Sequence, residues 1–133
     1  ARHAIRNYEC TKMKTENPIQ TKSYAFALRI VKLYRFLCDE KKEFVLSKQI
    51  VRSGTSIGAN VEEAIGGQSS KDFLSKMSIA YKEAPETHYW LRLLRDSDIL
   101  ETKHAESVIE DCDELLKLSG SIIRTTKARS ARN

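Results

Sequence analysis

Ser47-Lys-Gln-Ile-Val-Arg-Ser-Gly-Thr-Ser-Ile-Gly-Ala-Asn-Val-Glu-Glu-Ala-Ile-Gly-Gly67 is the stretch whose reading decides the fold. By propensity it is a poor helix. It holds Gly54 and Gly58 with Thr55, Val61, Ser53, Ser56 and Asn60, and an interior glycine costs about 1 kcal/mol against alanine. Yet Ile50, Gly54, Ile57, Val61 and Ala64 recur at spacings of four and three, which keeps one helical face on a partner. A weak helix former in strict helical phase is supported by packing rather than by its own backbone. Gly54 and Gly58 lie one turn apart, where they let a neighbouring helix come close. The stretch therefore reads as the central helix of a bundle, with Ser47 as its N-cap and the Gly66-Gly67 pair as its C-cap.

The rest of the chain supplies three more helices. Asn17-Pro18 reads as a helix start, with Asn as cap and Pro at the first helical position; Ser23 is the alternative start, and the helix runs to about Lys42. Its charged residues, Lys22, Arg29, Lys32, Arg35 and Asp39, share one arc. Nearly everything else is apolar, including Tyr24, Phe26, Leu28, Ile30, Leu33, Tyr34 and Phe36. That is wider than one intramolecular core requires, so a second covered side and subunit contacts are expected. After the charged turn Asp39–Glu43, residues Phe44, Val45 and Leu46 re-enter the core. Ser69 or Ser70 caps the third helix, with Asp72 placed for a capping box. Its apolar phase is Phe73, Met77, Ala80, Ala84, His88 and Leu91, and it continues across Pro85, which predicts one kinked helix ending at Asp96–Asp98. The fourth opens near Thr102 with Ala105, Val108, Cys112, Leu115, Ser119 and Ile122 inward. Its outer face is acidic early and basic at Arg124, Lys127, Arg129 and Arg132, which suits the helix dipole. The expectation is an all-α, antiparallel up-and-down four-helix bundle over residues 17–133, with a short basic C-terminal tail.

Residues 1–16 are polar and aperiodic and read as an N-terminal extension; Met13 offers an alternative start, which would make 1–12 an upstream piece. No apolar run approaches the roughly 20 residues that span a bilayer, and no signal peptide is visible. Cys10, Cys38 and Cys112 are odd in number and widely spaced, which fits reduced thiols in a cytoplasmic protein rather than a disulfide framework.

Chemistry was sought along the chain. Glu101-Thr-Lys-His104 matches one half of a di-iron unit, but the second half is missing. His88, beside Trp90, reads as a hydrogen-bonded core histidine. Gly54–Gly58 lacks the Gly-Lys-Ser/Thr ending and the preceding strand of a phosphate loop. No catalytic constellation, metal set or cofactor site is read, so an enzyme is not expected. Ser53, Ser56, Asn60 and Glu63 line one face of the central helix and read as a buried polar face that bonds to neighbouring helices or forms a small polar pocket. The net charge of +5 permits a nucleic-acid partner without demanding one. Lys22, Arg29, Lys32, Arg35, Lys48, Arg52, Arg124, Lys127 and Arg129 are the candidate phosphate-tracking residues. In a lone subunit they read as a solvated face. Repeated around the axis of a ring, their potentials add.

The run Leu46–Ala64, followed by Ser70-Lys-Asp-Phe-Leu-Ser-Lys-Met-Ser-Ile-Ala-Tyr-Lys-Glu-Ala84 and Glu86-Thr-His-Tyr-Trp-Leu91, resembles the four-helix-bundle proteins encoded in intervening sequences of 23S ribosomal RNA genes. The resemblance covers roughly residues 22–125, and departs from the family at Pro85, where relatives carry Arg. That family is similar to the accessory variability determinant of diversity-generating retroelements, a basic pentameric barrel that binds nucleic acid and works with a reverse transcriptase. The resemblance implies a non-enzymatic homopentamer, with nucleic acid, RNA first, as partner, and a reverse transcriptase or other nucleoprotein as a further one. The alternative is a protein-interaction scaffold docking a polymerase or reverse transcriptase, without direct nucleic-acid contact.

Overall fold

Long stretches with helical apolar phase and few breakers resolve into four helices. In a computed structural model that describes residues 18–132, they are α1 (Pro18–Asp39), α2 (Leu46–Ile65), α3 (Ser70–Asp96) and α4 (Thr102–Arg132). The N-terminal extension, Cys10 and the Asn17 cap lie outside the described residues. Helix α1 does begin at Pro18, and it stops at Asp39, short of Lys42. Among the described residues no helix is long and apolar enough to cross a membrane.

Neighbouring helices meet in opposite order. Gly54 faces Ile30, Gly58 faces Ser23, and Glu62 accepts from Gln20, so numbers rise along α2 as they fall along α1. The same reversal joins α2 to α3 through Ser53–Thr87 and Glu63–Lys76. It joins α3 to α4 through Ala84–Cys112 and Tyr81–Gly120, and α1 to α4 through Arg29–Asp111 and Lys22–Glu114.

The core holds Phe26, Ile30, Leu33 and Leu37 of α1, for which the sequence showed no preferred face, and most of the predicted inward columns: Ile50, Ile57, Val61 and Ala64 of α2, Met77, Ala80, Ala84 and Leu91 of α3, and Ala105, Val108, Cys112 and Leu115 of α4. The central helix is clasped as expected. A Cβ built on Gly54 would sit 2.8 Å from both Cγ1 and Cγ2 of Ile30, and one on Gly58 would sit 3.2 Å from the Ser23 carbonyl oxygen. The two glycines are the notch into which α1 seats.

Several local expectations fail for physical reasons. Ser47 does not cap α2: the cap position is Val45, without a side-chain bond, and Ser47 is buried one residue inside the helix. The Glu43 carboxylate serves instead, accepting from the backbone N–H groups of Val45, Leu46 and Ser47 at 3.2, 2.9 and 2.8 Å. Burial pushes that carboxyl up, but the three donors outweigh it and leave Glu43 below the usual carboxylate range. One ionised group thus satisfies most of the orphan donors of the first turn and faces the positive end of the helix dipole. With Glu43 taking that place, Phe44 and Val45 point outward and are exposed rather than in the core. Gly66 ends α2 in right-handed geometry (φ −79°), and no described glycine has a positive φ. In α3 the core position after Ala84 is Thr87 and not His88, a step of three where the phase suggested four. Ser69 does cap α3, accepting from the Asp72 N–H at 3.1 Å. Helix α3 runs unbroken through Pro85, which is exposed, the side on which water can serve a carbonyl left without its donor.

Gly54→Ala is expected to destabilise the chain by about 1–3 kcal/mol in urea denaturation, because Ile30 is core and cannot retreat. In an Ile30→Ala background the further cost of Gly54→Ala should be smaller, because the clash is gone. Gly66→Ala, whose Cβ meets nothing nearer than 3.6 Å, should be neutral or slightly stabilising.

Candidate functional site

The nine candidate cations do not form one surface. Three of them hold helices together. Lys22 pairs with Glu114 at 2.6 Å. Arg29 donates to Asp111 Oδ2 at 2.6 Å and, through both terminal nitrogens, to the carbonyl and hydroxyl of Ser107 at 3.3 and 3.1 Å. Arg52 lies between two carboxylates of α3, pairing with Glu83 at 3.5 Å and bonding Glu86. The other six, Lys32, Arg35, Lys48, Arg124, Lys127 and Arg129, are exposed and make no ion pair among the described residues. They fall into two groups. Lys32 and Arg35 on the last turns of α1 and Lys48 on the first turn of α2 flank the loop that joins those helices. Arg124, Lys127 and Arg129 ride the last turns of α4, at the opposite end of the bundle.

The polar face of α2 is less buried than its spacing suggested. Ser53 is buried, and its hydroxyl donates to Thr87 Oγ1 at 2.9 Å, whose own proton goes to the Glu83 carbonyl of its helix at 2.8 Å. Ser56 and Asn60 are half-buried, and the Asn60 amide donates to the Ser56 carbonyl and hydroxyl at 2.9 and 3.0 Å. Glu63 is exposed and pairs with Lys76 at 2.9 Å. One residue of the four bonds to a neighbouring helix from a buried position. A shallow groove between α1 and α2 is lined by Tyr24, Ala27, Thr55, Gly58, Ala59 and Glu62. Tyr24 and Leu28 beside it are 57% and 49% exposed, so much of the wide apolar face of α1 is uncovered in the single chain.

Two carboxylates shifted in opposite directions flank Arg52. Burial, the largest cause, pushes Glu83 up, and the nearby Glu86 adds to it while Arg52 opposes. The hydrogen bond from Arg52 holds Glu86 below its ordinary range, with help from Trp90 Nε1. Glu83 Oε2 is buried with no partner among the described residues. A single cation therefore serves two acids, and Glu83 is the one that favours its proton. His88 sits at the α3–α4 seam, accepting from Arg92 Nε at 3.0 Å and lying 3.4 Å from Asp113. Cys112 donates to the Ala84 carbonyl at 3.2 Å, and burial pushes its thiol up to about 12, so it is not a nucleophile at neutral pH. Glu101 and His104 are exposed, and among the described residues no three His, Cys, Asp or Glu side chains are grouped to hold a metal.

Sequence reasoning passed over Tyr81, Gly120 and Glu83. Gly120 is buried on α4, and a Cβ there would lie 3.2 Å from Tyr81 Cε1 and 3.3 Å from Arg124 Nη1. It brings an exposed ring and an exposed guanidinium together. A glycine in mid-helix four residues before an arginine was the signal available.

Comparison with known proteins agrees with this architecture. A family model described as 23S rRNA-intervening sequence protein matches residues 15–121. A crystal structure of a protein of unknown function from the S23 ribosomal protein family of Bacteroides thetaiotaomicron VPI-5482 is 54% identical, with a TM-score of 0.78 over 80% of this chain and 95% of that one. No curated protein matches this chain.

Because the folded state binds the Glu83 proton more tightly than the unfolded state does, ionising Glu83 opposes folding. Glu83→Gln is therefore expected to raise stability at neutral pH. That gain should shrink as the pH falls through the carboxylate range, where the parent is already protonated. Thermal melts at neutral and mildly acidic pH check both.

Proposed function

Since the chain belongs to the 23S rRNA-intervening sequence protein family, we propose that it is a non-enzymatic, oligomeric bundle that binds nucleic acid, RNA first, through its basic residues. The observation that carries this reading is the set of six exposed cations with no ion pair among the described residues: Lys32, Arg35 and Lys48 at one end, and Arg124, Lys127 and Arg129 at the other. Such side chains can contact phosphates without first breaking an ion pair, and binding releases condensed counterions. Lys22, Arg29 and Arg52 contribute field rather than free contacts, because each is held by a carboxylate. The description of the similar solved protein as one of a ribosomal protein family favours RNA over DNA.

Assembly belongs to the same proposal. The exposed Tyr24 and Leu28 beside the α1–α2 groove are apolar surface that copies of the chain would cover, in a homopentamer. Such a ring would bring separate basic ends of different subunits into one field. A cytoplasmic setting goes with free thiols at Cys38 and Cys112.

A second reading has its own observation. Phe44 and Val45, 53% and 71% exposed on the α1–α2 loop, offer apolar surface that a phosphate backbone does not use. That surface suits a scaffold docking a polymerase or reverse transcriptase.

Two measurements test the proposal. Fluorescence anisotropy with labelled RNA should show binding at low salt that weakens by roughly a thousandfold between about 50 and 200 mM salt, the behaviour of about six phosphate contacts. No binding at low salt overturns it, and a protein partner retained after nuclease digestion favours the scaffold. Light scattering on a sizing column should give five times the chain mass of 15.2 kDa; a monomer at working concentration removes the assembly.

A further inference from the structure

At Gly120 an aromatic ring from one helix and a cation from its own helix both close on the same point of backbone. The ring of Tyr81 comes across from α3, and the Arg124 guanidinium folds back along α4 by one turn, as helical side chains do. Both reach the same point of the α4 backbone, where a Cβ would be 3.2 Å from Tyr81 Cε1 and 3.3 Å from Arg124 Nη1. A methyl at this position would make the ring and the guanidinium give way by a few tenths of an ångström. Tyr81 is 39% exposed, and neither side chain makes a hydrogen bond or ion pair among the described residues. Lys117 and Lys127, also exposed and without an ion pair, continue the positive strip along α4 on either side.

Resting on the nucleic-acid reading above, we propose that Tyr81 and Arg124, seated together on Gly120, bind one nucleotide of a single strand, with the ring stacking the base and the guanidinium holding the adjacent phosphate. The pairing of an aromatic platform with a cation is what sequence-tolerant single-strand binding uses. Arginine suits the second role because its planar fork meets phosphate oxygens two at a time. A duplex cannot occupy the site in the same way, because its bases are already stacked on each other and do not offer a free face. Phosphate-tracking residues alone would not distinguish strandedness; the notch does. The Gly120 position thus decides which form of nucleic acid the α4 end prefers.

The test uses the full chain with two labelled probes of equal length, an unstructured oligouridylate and a duplex, at low salt. The parent is expected to favour the single strand. Tyr81→Phe keeps the ring and should bind within about twofold of the parent. Tyr81→Leu keeps apolar bulk without a π face and should weaken single-strand binding by at least about fivefold, leaving the duplex unchanged. Gly120→Ala adds one methyl in a helix that favours alanine, so it should fold even if Tyr81→Leu does not, and it should give the same selective loss. Arg124→Gln should weaken both probes and lower the salt slope by about one contact. Melting and light scattering on each variant separate loss of the site from loss of the fold. If the parent binds but Tyr81→Leu and Gly120→Ala match it on both probes, or if the parent prefers duplex, this inference fails and the broader reading stands. If the parent binds neither probe, both fail.

Discussion

The rest of the bundle depends on the close approach of α1 to α2 over Gly54 and Gly58. Ile30 fills the space that a side chain at Gly54 would need, and the Ser23 backbone does the same over Gly58. Two glycines that weaken α2 as an isolated helix thereby become the surface that orders it. The contact also sets the register of α1. With Ile30 over Gly54, Gln20 reaches Glu62 at 2.8 Å, and Cys38 lies by Ser47 and the Glu43 carbonyl. The same register turns Lys22 and Arg29 toward α4, where Glu114 and Asp111 meet them.

Electrostatics then divides the molecule by position. Along the seams, cations are met by acids of the facing helix: Arg29 by Asp111, Arg52 by Glu83 and Glu86, Lys76 by Glu63. Exposed pairs of this kind contribute only about 0.2–1 kcal/mol each. The buried columns of Ile, Leu and Val therefore hold the bundle, while the pairs choose which faces come together. The α1–α4 seam shows the division clearly, with polar bonds through Arg29, Ser107, Asp111, Lys22 and Glu114. Lys32, Arg35 and Lys48 around the α1–α2 loop, and Arg124, Lys127 and Arg129 on the last turns of α4, meet no such acid among the described residues. Arg52 marks the boundary: by sequence it belongs with Lys48, and by structure it belongs to the Glu83–Glu86 pair.

The apolar surface follows a similar logic. Helix α1 buries Phe26, Ile30, Leu33 and Leu37 and leaves Tyr24, Leu28 and Phe36 outside. One helix cannot turn more than one broad stripe toward three neighbours. The excess width visible in its composition consequently appears as uncovered surface beside the groove at Ala27, Gly58 and Ala59.

Helix number, the inward columns of α2, α3 and α4, the glycine notch and the Ser69 cap were legible in the amino-acid order, because each is a repeat or a pairing within a few residues. The same kind of pattern misjudged Ser47, since a carboxylate at Glu43 reaches three N–H groups where a hydroxyl reaches one or two. It misjudged His88, since Thr87 fits the core when its hydroxyl finds Ser53 on another helix. Pairings across tens of residues were beyond it: Arg52 with Glu83 and Glu86, Arg29 with Asp111, and Tyr81 with Arg124 over Gly120. Periodicity says which side of a helix turns inward. The rotation and axial offset of one helix against the next follow from how side-chain volumes interlock, and only packing decides them. Which cations are neutralised and which stay open is therefore a property of the assembled bundle.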